Sequence, residues 1–289
     1  MLKSIKSYIS SILQKIIVYI SPEIYKKKYL KQYIKLSWKN YDENKVEFEM
    51  LLFPYFLNND SVFFDVGSNI GSFVLIANKT IKQEQIFAFE PIPILNKRLK
   101  LIFPEANFRN IALSNAKSKT QFKIPKINHT QFLTRGTLNT NFVETNESGF
   151  DLLTVQTNTL DNFCIEENIK RIDVIKIDVE GHEYEVIKGA LKSIEKYKPI
   201  LIIEIEQRHH TEDISLIINE IKNINYSCFY FDSKSFTLTE LTVEAKSLQL
   251  KSDFEKSRKY IHNFIFAHNH KVDEGFVRDI NERICQDRT

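Results

Sequence analysis

Phe64-Asp65-Val66-Gly67-Ser68-Asn69-Ile70-Gly71 is the stretch whose reading decides the fold. It leaves an apolar run, Ser61 to Val66, and passes after Gly71 into a helical pattern over about 71–80. A strand running directly into a glycine-bearing turn and then a helix is the opening of a βαβ unit. Glycine is scarce here: 289 residues would ordinarily carry about 20 at a share of roughly 7%, and this chain has 7. Two of them in one turn mark a place where the chain turns tightly and its backbone approaches a neighbour that a Cβ would obstruct.

Working outward, strand-like runs occur at 61–66, 85–89, 107–112, 172–177 and 200–205. The first, fourth and fifth are almost unbroken Val, Ile and Phe, as in strands buried on both faces of a parallel sheet. Helical patterns at about 71–80, 92–103, 182–196 and 211–223 separate them. Two closing strands are expected at Tyr226–Phe231 and His262–Ala267. The fold class is therefore α/β: a doubly wound, mostly parallel, seven-stranded Rossmann-like sheet with helices on both faces. Two further strands, at 120–124 and 151–157, flank a polar stretch, 126–150, long enough to be a lid. The expected organisation is a helical extension over 1–40, a main domain over 41–270 and a tail over 271–289.

With 43% apolar residues the chain can bury a large core, which excludes disordered and low-complexity classes. Its three cysteines (Cys164, Cys228, Cys285) are far apart and lack metal-ligand spacing, which suits a reducing, cytoplasmic setting. No apolar run is long enough to cross a bilayer, and Lys15 interrupts what would be a signal-peptide core. The net charge of +3 hides an asymmetry: residues 1–40 hold nine Lys against Glu23, so +8, and the rest sums to −5. A mildly acidic body argues against nucleic acid as a partner. Over residues 1–20, Ile5, Ile9, Ile12, Leu13, Ile16, Ile17 and Ile20 form an amphipathic stripe beside Lys3, Lys6 and Lys15. Such a helix either packs on the protein or a second subunit, the commoner case, or makes peripheral contact with an anionic membrane face.

Glu90 ends the second strand, 19 residues after Gly71, placed to accept hydrogen bonds from a ribose diol. A dinucleotide would need G-x-G-x-x-G, but Asn69 stands at the middle position. Asp65 at the head of the turn would also repel a pyrophosphate and suits a cationic ligand such as S-adenosylmethionine. A nicotinamide-dependent oxidoreductase is thus the disfavoured rival on this fold. A non-catalytic, membrane-associated binding protein on the same scaffold is the other.

The sequence resembles the FkbM-type family of class I S-adenosylmethionine-dependent methyltransferases over roughly residues 60–268. The resemblance rests on the Phe64–Gly71 block, Ala88-Phe89-Glu90-Pro91, Asn110-Ile111-Ala112-Leu113-Ser114 and Thr159-Leu160-Asp161. Its most specific part is Ile175-Lys176-Ile177-Asp178-Val179-Glu180-Gly181-His182-Glu183. Asn69 is usual in that family. The resemblance implies that Asp65, Gly67 and Gly71 surround a methionine moiety, that Glu90 holds the ribose, and that Asn110 and Ala112 lie near the adenine.

In a doubly wound sheet, ligands gather at the carboxyl ends of the strands. Asp178, Glu180 and His182 lie at the end of the fourth strand, with Glu204 and Glu206 at the end of the fifth. Transfer to a hydroxyl needs a proton acceptor. His182, with an ordinary pKa near working pH, is the first choice and Asp178 the second. Alternation puts Lys176 and Asp178 on one face, and a buried Lys176 is expected to pair with Glu204 on the next strand. These acids, His182, His209 and His210 also offer ligands for a divalent metal ion, which spacing alone does not demonstrate. Segments diagnostic of nucleobase amino-methyl transfer, serine hydrolases and P-loops are absent from the sequence. The expected function is O-methylation of a small-molecule or glycan acceptor, first of all a sugar hydroxyl.

Overall fold

The computed structural model describes residues 17–41, 47–250 and 260–289. Its main sheet has eight strands in the order β11-β10-β12-β9-β8-β1-β2-β3. They are β1 (Phe63–Val66), β2 (Ile86–Phe89), β3 (Asn107–Arg109), β8 (Val174–Ile177), β9 (Ile200–Glu204), β10 (Tyr226–Asp232), β11 (Thr237–Glu240) and β12 (Asn263–His268). From β3 through β9 every pairing is parallel. The β12 strand then inserts antiparallel between β9 and β10, and β11 folds back on β10. The sheet is α/β and mixed, and the expected count of seven strands is corrected to eight. The additional strand, β11, is mostly polar and buries only Leu238, as an edge strand requires.

Alternation along the central strands feeds two cores. Phe63, Val174, Ile200 and Ile202 belong to one, and Phe64, Val66, Ile175, Ile177, Leu201 and Ile203 to the other. Helices therefore cover both faces, which explains the unbroken apolar runs. Asp65, Lys176 and Glu204 are on the Phe63 face, where the apolar pattern gives way to charge at the carboxyl ends.

The N-terminal part packs on that same face. Tyr25, Leu30 and Trp38 are buried in one cluster with Leu99, Phe103 and Phe231. The amphipathic helix expected over 1–20 lies outside the described residues except at 17–20, where Val18 is buried and Ile20 is exposed. Residues 271–289, read from the sequence as a tail, carry the helix Phe276–Arg288, whose Ile280 and Ile284 enter the core. Among the described residues no helix is long and apolar enough to cross a membrane.

Two local departures have packing causes. The helix expected over 182–196 is two, Glu183–Lys188 and Leu191–Tyr197. Between them Gly189 lies so close to the Ser114 backbone that a Cβ would overlap its carbonyl oxygen. The strand expected over 107–112 also divides: after β3 the chain enters a second sheet as β4 (Ala112–Leu113), beside β5 (Ser118–Ile127), β6 (Thr130–Gln131) and β7 (Glu147–Asn158). The long β5–β7 ribbon is the expected antiparallel pair, extended at both ends. The candidate lid, 126–150, thus begins and ends as strand, and residues 133–142 fold back toward the main sheet.

Candidate active site

The turn after β1 is fixed from both sides. The amides of Gly67 and Ser68 donate to the Phe89 carbonyl at 3.0 and 3.1 Å, and the Asp178 amide donates to the Val66 carbonyl at 3.0 Å. Gly67 has φ +85, and a Cβ there would overlap the Asp178 carbonyl oxygen. Gly71 answers to a different neighbour: its Cβ would meet Leu99 Cδ2 at 2.6 Å, so it serves helix packing rather than lining a cavity.

Glu90 closes the turn from β2. Its Oε2 accepts from the Asn69 amide and its Oε1 from the Ile92 amide, both at 2.8 Å. Burial pushes this carboxyl up to about 8, partly opposed by those two N–H donors. Asn110 spans the carbonyls of Glu90 and Pro91 at 2.8 and 2.9 Å, so it shapes the loop holding Glu90.

Two cavities adjoin at this turn and share Gly67, Asn69, Thr134 and Asp178. One is largely apolar, walled by Phe89, Ile92, Ala112, Leu113, Leu133 and Leu138, with Glu90 and His182 as polar members. The other, of about 220 Å³, is lined by Asp65, Ser68, Lys176, Tyr33 and Glu47, among others. Of its lining residues, Asp65 and Asn69 each keep one buried oxygen, Oδ2 and Oδ1, with no hydrogen-bond donor. Burial, opposed by nearby Lys176, pushes the Asp65 carboxyl up to about 7. The 133–138 segment roofs the first cavity and is tied to the turn by Asn69 Nδ2 donating to the Thr134 carbonyl at 3.2 Å.

At the end of β8, Lys176 is fully buried. The expected ion pair with Glu204 is corrected: the ammonium lies 3.6 Å from Asp178 Oδ2 and donates to Asn263 Oδ1 at 3.0 Å. Because Lys176 aligns with Ile202, and Glu204 with Asn263, the long side chain reaches past β9 to β12. Burial works against its charge, yet Asp178, Glu204, Glu47 and Glu49 together hold its pKa above the usual lysine value. Asn263 in turn donates to Glu47 Oε2 at 3.1 Å.

Beyond Asp178 the chain turns through Glu180, at φ +55, and Gly181, at φ +93. Glu180 also faces the first cavity, and burial raises its pKa well above the usual glutamate value. Glu183 Oε1 accepts from the Gly181 amide at 3.0 Å, and its other oxygen lies 3.3 Å from His210 Nε2. His182 points elsewhere, with Nε2 2.9 Å from Ser114 Oγ on the Ala112–Leu113 side of the apolar cavity. Burial lowers its pKa, which favours the neutral imidazole.

The structure thus brings Asp65, Gly67, Asn69, Glu90, Ala112, Asp178, Glu180 and His182 to the two cavities. Lys176 lines the second, while Glu204 lies farther along the acidic edge. Sequence reasoning missed Tyr33, Glu47 and Asn263, together with Arg208 and Glu144, whose guanidinium and carboxylate pair at 3.1 Å. Only the buried lysine signalled a polar partner of this kind, and it did not say which.

Residues 65–228 match the model of a family described as the methyltransferase FkbM domain. The chain is 30% identical over 163 residues to the hexuronic acid methyltransferase AglP of Haloferax volcanii, a match covering 56% of this chain and 63% of that protein. Among solved structures, methyltransferase FkbM from Methylobacillus flagellatus KT overlaps 73% of this chain and 44% of its own, at 14% identity and a TM-score of 0.44. Precorrin-6y C5,15-methyltransferase from Geobacter metallireducens GS-15 overlaps 75% and 84%, at 10% identity and a TM-score of 0.37.

Proposed function

Because the chain belongs to the FkbM methyltransferase family, we propose that it is an S-adenosylmethionine-dependent O-methyltransferase acting on a sugar hydroxyl. The observation that carries the cofactor is the pair of adjoining cavities with opposite chemistry. The apolar one suits an adenine ring, and Glu90 in its wall retains lone pairs for a ribose diol. In the polar one, the donorless oxygens of Asp65 and Asn69 are what an amino group would satisfy. The sugar acceptor is supported by the hexuronic acid methyltransferase relative.

S-adenosylmethionine, when bound, supplies a sulfonium methyl group for in-line displacement. The protein's own part is to align an acceptor oxygen, take its proton and exclude water. Asp178 lies at the seam of the two cavities, and its carboxylate is the proton acceptor we favour. Lys176 lies 3.6 Å away as its cationic neighbour. His182 is held by Ser114 on the other side of the apolar cavity, which favours a cofactor-positioning role over that of base. The 133–138 segment roofs the first cavity and shields it from solvent.

Calorimetric titration with S-adenosylhomocysteine and with NAD tests the cofactor. Binding of the first alone is expected, and Glu90→Ala should weaken it by about 2–4 kcal/mol. Binding of NAD alone would overturn the reading. For the proton acceptor, Asp178→Asn should lower kcat roughly 100-fold or more with S-adenosylhomocysteine affinity retained. His182→Ala should instead raise KM for the methyl donor. The reverse pattern would return the role of base to His182.

A further inference from the structure

We propose that Glu144, Glu180 and His209 form a binding site for a divalent transition-metal ion such as Mn²⁺, Fe²⁺ or Zn²⁺. One ligand atom from each lies within 4.8 Å of the other two. The imidazole points to a ligand on its own account. His209 is 4% exposed, its Nε2 is buried with no hydrogen-bond partner, and that atom lies 3.6 Å from Glu180 Oε2. A buried ring nitrogen without a partner is costly unless something binds it.

The surroundings hold the ring at this position. Gly181 has φ +93, and a Cβ on it would approach His209 Cβ to 2.9 Å, so the imidazole fits against the turn because residue 181 lacks one. Phe142 meets the ring edge-on, with centroids 4.6 Å apart. Asn139 donates to the His209 carbonyl at 3.2 Å. One imidazole nitrogen and two carboxylates suit borderline transition ions better than Mg²⁺ or Ca²⁺, which prefer oxygen throughout. Ligand bonds of roughly 2.0–2.2 Å require these side chains to draw together, by rotations about their own bonds.

The site has cationic neighbours. Arg135 Nη1 and Arg208 Nη1 each lie 3.1 Å from Glu144 Oε1, and Arg208 Nη2 lies 2.8 Å from Glu206 Oε1. The guanidinium groups thus engage Glu144 and Glu206, while Glu180 lies at the edge of that network, 4.0 Å from Arg208 Nη2. A carboxylate has about four lone-pair positions, so Glu144 can serve both arginines and a metal. The ligands come from the loop just before β7, the turn after β8 and the stretch after β9. An ion would therefore tie the loop before β7 to the sheet edge, and Glu144 is joined to the roof through Arg135. Through cavity-lining Glu180 it would also lie where it could polarise an acceptor hydroxyl, and this last role rests on the methyl-transfer reading.

The test uses the full chain, stripped with chelator and titrated with Mn²⁺ alone, followed by calorimetry and electron-spin-echo spectroscopy. One saturable site per chain is expected, with nitrogen modulation from a coordinated imidazole. His209→Gln should abolish the nitrogen signal, and both His209→Gln and Glu180→Gln should weaken binding at least roughly tenfold. His210→Gln, whose ring faces Glu183, should bind as the wild type does. Absence of saturable binding by the wild type, or an unchanged nitrogen signal in His209→Gln, overturns the site. S-adenosylhomocysteine binding by the metal-free protein reports separately on the cofactor reading, so the two can fail independently.

Discussion

Gly67→Ala is expected to lose about 3–4 kcal/mol of stability and, with it, at least about 100-fold in S-adenosylhomocysteine affinity. The left-handed backbone at φ +85 costs an alanine roughly 1–2 kcal/mol. The larger part is steric. The added Cβ would overlap the Asp178 carbonyl oxygen, a backbone atom with no rotamer to change. Nor can the turn shift sideways, because the Gly67 amide is bonded to the Phe89 carbonyl at 3.0 Å and the Asp178 amide to the Val66 carbonyl at 3.0 Å. The carboxyl ends of β1 and β8 must therefore part, at the seam where the two cavities meet. Urea denaturation and calorimetry measure the two losses. Gly149→Ala provides the contrast: with no atom within 4 Å of its Cβ, it should lose only the backbone part, about 1 kcal/mol. A Gly67→Ala chain with the wild-type urea midpoint would show that β1 and β8 are not in this register.

What the sequence discloses about this molecule is mainly its local and near-local part. The apolar runs of β1, β8 and β9 are legible because strands covered on both faces have no polar side to show. The turn at Gly67 is legible because glycine is scarce elsewhere, and Glu90 because its distance from the turn follows from one βαβ unit. Features fixed by packing between distant segments are not legible. The break between Glu183–Lys188 and Leu191–Tyr197 arises from contact with Ser114, remote in sequence. Lys176 announces a buried charge, but its partner Asn263 lies 87 positions away on a strand inserted antiparallel beside β9. The carboxylate of Glu144 reaches the sheet edge from a segment whose polar composition reads only as loop. Chemistry carried within one strand–turn–helix unit is thus written locally, whereas the acceptor side of the site depends on tertiary pairing.

Lys176→Met should show how that acceptor side is held together. The ammonium is the buried cation among Asp178, Glu204, Glu47 and Glu49, and all four attract it. Methionine fills much of the same volume, so the loss is chiefly electrostatic. Removing one partner of a buried charge cluster costs about 3–5 kcal/mol, and this loss should depend on pH. In the wild type, Glu49 and Asp65 are both pushed up to about 7, chiefly by burial. For groups raised in the folded state, the contribution to stability is fully present below their unfolded values near 4 and is lost as pH rises through the folded values. Wild-type stability should therefore fall between about pH 4 and 7 from these groups. Lys176 is also raised, so its own contribution is fully present below about 10.4 and remains throughout that window. Without it the acids bind protons still more tightly, and the decline becomes steeper and extends further upward in pH. The difference between wild type and Lys176→Met should accordingly be small near pH 4 and largest above pH 7, as read from urea midpoints across the range. Adding Glu204→Gln to the variant should recover part of the loss at pH 8 and little at pH 4, because it removes one unpaired charge. A pH-independent difference, or no recovery in the double variant, would mean that Lys176 acts by packing alone.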